Sequence, residues 1–160
     1  MRRVLAAVGA GIAGAVAVTL LNEVGRQLDD RAPRLDLLGE RALAKTLRRL
    51  GARRPRPRKL RRLALAADLF ANSLFYGVLF AGRPRPWLRG ALGGAIAGVS
   101  APLLAPALGI ERRGRKAQPV PALSLAWYTG AGLAASAVYK ALAPRRAPRT
   151  QSLPISRAAL

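Results

Sequence analysis

Four stretches of this chain are nearly free of charge and long enough to cross a bilayer, and no other feature restricts its fold as much. Residues 4–21 (VLAAVGAGIAGAVAVTLL) are 18 residues without a charge. Residues 63–82 (LALAADLFANSLFYGVLFAG) are 20 with one charge, Asp68. Residues 90–110 (GALGGAIAGVSAPLLAPALGI) are 21 with none, and residues 122–142 (ALSLAWYTGAGLAASAVYKAL) are 21 with Lys140 near the end. As helices, at 1.5 Å per residue, they are about 27–32 Å long, close to the ~30 Å of a hydrocarbon core. A helix of a soluble bundle carries a polar face every few residues. The first and third stretches have almost none. The expectation is an all-α integral membrane protein, a bundle of four transmembrane helices in one domain, 1–160. A cleaved signal peptide at 4–21 is the lesser alternative. Arg2 and Arg3 precede an apolar run, but that run is long and Gly-rich for such a segment.

Charge fits this picture only because it is segregated. The net charge is +21, yet 51% of the residues are hydrophobic. Arginine outnumbers lysine 24 to 4, which reads as a GC-rich coding bias of bacterial origin. The connection 22–62 holds 14 Lys/Arg and the connection 111–121 holds four. On the other side the N-terminus holds two, the hairpin 83–89 three and the tail 143–160 four. Positive residues stay inside. The expected location is therefore the bacterial cytoplasmic membrane, with loops 22–62 and 111–121 cytoplasmic and both termini outside. The tail 144–160 is expected to be disordered.

The long loop divides in two. Residues 35–50 (LDLLGERALAKTLRRL) place Leu35, Leu38, Ala42, Leu43, Leu47 and Leu50 on one helical face. Such a short basic amphipathic helix lies in the membrane interface or packs on its own helix ends. The run 48–62 (RRLGARRPRPRKLRR) then holds nine positive charges and no acid. Pro55 and Pro57 are expected to keep this run extended. Arg53, Arg54, Arg56, Arg58, Lys59, Arg61 and Arg62 are the candidate contacts to anionic lipid headgroups or to an acidic partner, at about 1 kcal/mol each near such a surface. The loop has no aromatic residue for base stacking, so nucleic acid is not an expected partner.

Two kinds of residue pattern mark the spans. Asp68, Asn72 and Tyr76 recur every four residues on one face. Ser124 and Tyr128 fall at a similar depth in the fourth span, and Asn22 and Glu23 end the first. These seven form a candidate polar cluster near the cytoplasmic mouth. An intramembrane acid marks a functional site by default, but polar side chains also hold membrane helices together at about 1 kcal/mol each. Gly90, Gly94 and Gly98 make one face for close helix approach, and Ala6, Ala10 and Gly14 make another, so the third and first spans are expected to face each other. Pro102 and Pro106 are expected to bend the third span.

Chemistry is sparse. The chain has no cysteine and no histidine, which removes disulfides, Cys/His zinc sites and the commonest nucleophile–base pairs. No cofactor and no enzyme activity are expected. The leading expectation is a structural or accessory role, as a homo-oligomer or within a larger membrane complex. The alternative is a small oligomeric transporter or channel-like protein built on the polar cluster around Asp68.

Overall fold

The computed structural model describes residues 1–28, 35–81, 84–103 and 120–144. Five helices occupy them: α1 (Arg2–Leu28), α2 (Leu35–Arg49), α3 (Pro57–Phe80), α4 (Pro86–Leu103) and α5 (Val120–Leu142). No strand occurs among the described residues, so the chain there is all-α. Residues 111–119, Pro106 and the tail from 145 onward lie outside them, as do the expectations placed on those positions.

Helix boundaries follow local chemistry. Leu47 accepts from Ala52 N at 2.9 Å and Arg48 from Gly51 N at 3.1 Å. Gly51 has φ +71°, the left-handed residue that closes a helix with this pair of bonds. Proline suits a first helical position, because the N–H it lacks would be unbonded there. Thus α3 begins at Pro57 and α4 at Pro86. This corrects the extended reading of 48–62. The chain is non-helical only as far as Arg56, and Arg58, Lys59, Arg61 and Arg62 form the first turns of α3. Their guanidinium and ammonium groups therefore project from a helix that continues into the apolar stretch 63–80.

Helix α1 packs against α3 and α5, and α5 packs against α1 and α4. Every one of these neighbours is antiparallel. Gly9 of α1 lies beside Leu142 of α5, while Gly25 lies beside Trp127. Gly90 of α4 meets Gly132 and Ser136, while Gly98 meets Ser124 and Leu125. The four long helices therefore alternate in direction. The N-terminus, the α3–α4 hairpin and the end of α5 share one end of the bundle. The 22–62 connection enters and leaves at the other, where α2 docks on α3.

The packing corrects the pairing of the small-residue faces. Gly90, Gly94 and Gly98 meet the backbone of α5, not α1. Ala6 and Ala10 pack in the core with Tyr76, Phe80, Ala131, Ala135 and Tyr139, and Gly14 lies under the Tyr76 ring. Ser136 adds a polar clasp at the α4–α5 contact: its Oγ lies 2.8 Å from Gly132 O and 3.0 Å from Pro86 O. Thr19 and Ser100 donate to carbonyls four residues back, at 2.9 and 2.7 Å, so these hydroxyls are satisfied without water.

The distribution of size is inverted relative to a water-soluble bundle. The buried faces hold mostly alanine and glycine, with Val18, Leu60, Tyr76, Phe80, Trp127 and Tyr139 as the larger exceptions. The outward faces hold Leu5, Val8, Ile12, Val16 and Leu20 of α1, Phe70, Leu74 and Val78 of α3, and Leu92, Ile96 and Val99 of α4. Phe70 is 71% exposed and Ile96 66%. Soluble monomers rarely expose contiguous apolar surface on this scale. By length and composition, α1 and α3 are apolar enough to cross a membrane. They are the two helices of the described residues that meet this criterion.

Candidate functional site

A cavity of about 330 Å³ opens where the C-terminal end of α1, the N-terminal half of α3, the start of α5 and α2 come together. Four of the seven residues of the expected polar cluster line it: Asn22, Glu23, Asp68 and Tyr128. The antiparallel pairing of α1 with both α3 and α5 is what brings them together. Asn22 and Glu23 share the last turns of α1, and Asp68 of α3 and Tyr128 of α5 meet them near the same end of the bundle. Asn72 stands one turn deeper on the same face of α3.

Tyr76 and Ser124 go elsewhere. Tyr76 is fully buried and donates its hydroxyl to the Tyr128 carbonyl at 2.9 Å. It holds α3 to α5 and presents nothing to the cavity. Ser124 is also fully buried, at the contact with Gly98 of α4. Its Oγ and Asn22 Oδ1 are the buried side-chain polar atoms without a hydrogen-bond partner among the described residues.

The cavity is charged with both signs, a feature the residue pattern did not disclose. Arg26, Glu40 and Arg61 join the lining. Glu23 accepts from Arg26 Nη2 at 2.8 and 3.0 Å and from Gln27 Nε2 at 3.3 Å. Glu23 lies beyond the apolar stretch 4–21, and the Arg26 hydrogen bonds hold its carboxyl below the usual range. Arg61 stands seven residues before Asp68, on the same face of α3, so its place was readable from spacing. Glu40 was not, because it arrives only through the docking of α2 on α3. Mixed charge of this kind gives hydrogen-bond donors and acceptors to a small polar guest, and it equally seals a helix junction.

The basic residues Arg53, Arg54, Arg56, Arg58, Lys59, Arg61 and Arg62 are all exposed. They stand at the same end of the bundle as the cavity. On α2, Ala42, Leu43 and Leu47 are half-buried while Arg41, Arg48 and Arg49 are exposed. No family model matches the chain, and neither a curated protein nor a solved structure shows significant similarity to it.

Proposed function

We propose that the chain is a multi-pass protein of the bacterial cytoplasmic membrane, with α1, α3, α4 and α5 as four spans, and that its role is structural: an accessory or assembly protein. The observation that carries this reading is the inverted exposure. Small residues fill the helix contacts and large apolar residues point outward along α1, α3 and α4, which suits hydrocarbon as the surrounding solvent. The end of the bundle holding the 22–62 connection faces the cytoplasm in this reading. There Arg53 to Arg62 rest on anionic headgroups or on an acidic partner subunit, and α2 lies at the interface beside α3. The termini are outside. Mass measurement of the chain extracted in mild detergent tests the role. The expected species is a homo-oligomer or a complex with other proteins. A lone monomer contradicts an assembly role.

The cavity around Asp68 favours one other reading, a small oligomeric transporter or channel-like protein. The two readings part at Asp68→Asn. On the structural reading this change weakens the junction of α1, α3 and α5, and the yield of assembled protein falls while no solute flux changes. On the transport reading, expression and assembly stay normal and a flux phenotype is abolished. An unchanged assembly together with lost flux sinks the structural role.

A further inference from the structure

A second depression, of about 500 Å³, runs along the α1–α3 seam at the opposite end of the bundle from the charged cavity. Its walls are apolar except at Arg3 and Ser73. From Arg3 to Ile12 on α1 is nine residues, about 14 Å of helix. From Ala81 back to Phe70 along α3 is eleven, about 16 Å. The groove thus runs for about half of a ~30 Å hydrocarbon core, which is the depth of one leaflet. Val4, Val8, Ile12, Phe70, Leu74 and Val78 are also among the outward-facing apolar side chains, so in the membrane reading the groove opens sideways into the lipid.

Length and charge together choose the occupant. A transmembrane helix of a partner would need an apolar groove along the full thickness of the core. Here the apolar channel stops near mid-depth, and the same seam leads on to the cavity that holds Glu23 and Asp68. A single acyl chain needs only one leaflet. Arg3 stands at the end where the chain's headgroup would lie, and a guanidinium pairs with a phosphate through charge-assisted hydrogen bonds. Gly77 lines the groove, where a Cβ would be in ordinary contact with Ala7 O at 3.4 Å.

We infer that the α1–α3 groove is a binding site for one phospholipid of the outer leaflet, its acyl chain lying between Val8 and Ser73 and its phosphate on Arg3. This rests on the membrane reading above, and the experiment separates the two. The full chain is extracted from membranes in mild detergent, and bound lipid is counted by native mass spectrometry with added phosphatidylglycerol or with diacylglycerol, which lacks the phosphate. The wild-type chain is expected to carry one phosphatidylglycerol. Ser73→Leu fills the groove floor and should lower occupancy by both lipids at least fivefold. Arg3→Gln changes only an exposed side chain, so it keeps the fold. It should lower phosphatidylglycerol occupancy at least threefold and leave diacylglycerol unchanged. Equal occupancy in the wild type and Ser73→Leu, with the chain retained in membranes, overturns the lipid site and leaves the membrane reading intact. Loss of a dimer in Ser73→Leu, without loss of lipid, overturns it in favour of a second copy in the groove. Recovery of the chain from the aqueous fraction without detergent overturns both.

Discussion

Replacing Gly132 by leucine should drive α4 away from α5 and be among the most damaging single changes in the bundle. A Cβ at Gly132 would fall on the backbone of Gly90, and a Cβ at Gly90 would fall on the Gly132 carbonyl and the Ser136 hydroxyl. Backbone cannot rotate out of the way as a side chain can. The helices must therefore separate, breaking the Ser136 contact to Pro86 O and opening the faces around Gly94 and Gly98. Overpacking of this kind costs about 3 kcal/mol or more. In a chain of this size that is a fall of roughly 6–12 °C in the unfolding midpoint, read by circular dichroism in detergent. Gly39→Ala is the control. No atom lies within 4 Å of a Cβ at Gly39, so the change should not destabilise, and within α2 it should stabilise by up to about 1 kcal/mol. If both variants unfold alike, the close α4–α5 contact does not exist.

The second large effect is expected at Tyr76. This side chain is fully buried, it lies over Gly14, where a Cβ would stand 2.5 Å from Tyr76 Cδ2, and it meets the Phe75 ring edge-on at 5.1 Å. Tyr76→Ala leaves a void where α1, α3 and α5 converge. By the scale of aromatic-to-alanine changes in protein cores it should cost about 3–5 kcal/mol. Tyr76→Phe keeps the ring and removes only the hydrogen bond to Tyr128 O, for about 1 kcal/mol. The two variants should therefore differ several-fold in their effect on the unfolding midpoint. Adding Gly14→Leu to Tyr76→Ala refills part of the void, so the double variant should be less damaged than the sum of the singles. A phenylalanine variant as unstable as the alanine one would show that the hydroxyl, and not the ring, holds this junction.

Much of the helix pattern was legible in the apolar stretches because charge marks their ends clearly. What the stretches do not reveal is where a helix starts or stops within charged sequence. Helix α1 runs on through Asn22 to Leu28, and α3 starts at Pro57, because nothing in those segments breaks a helix. The glycine and alanine faces were readable as contact faces, since small residues spaced by four admit another backbone. Their partners were not, because spacing describes one helix at a time. The stripe Asp68–Asn72–Tyr76 shows the same limit. All three share a face, yet at one end that face meets the mixed-charge cavity and at the other it enters the core. That division depends on where α1 and α5 cross α3. The span assignment divides likewise: α1 and α3 meet the length and composition of a membrane-crossing helix, whereas α4 and α5 enter the membrane only in the proposed reading, through the packing of α5 on α1 and of α4 on α5.

The central claim is that hydrocarbon surrounds all four long helices. Spin labels on single cysteines at Ile12, Phe70, Ile96 and Leu133 test it most directly, since the chain has no cysteine of its own. One position lies on each of α1, α3, α4 and α5, and all four are exposed. In liposomes, each label should be relaxed strongly by oxygen, which concentrates in the bilayer, and weakly by a water-soluble nickel chelate. Strong relaxation by the chelate at Ile96 or Leu133 would place α4 or α5 in water and contradict the four-span account.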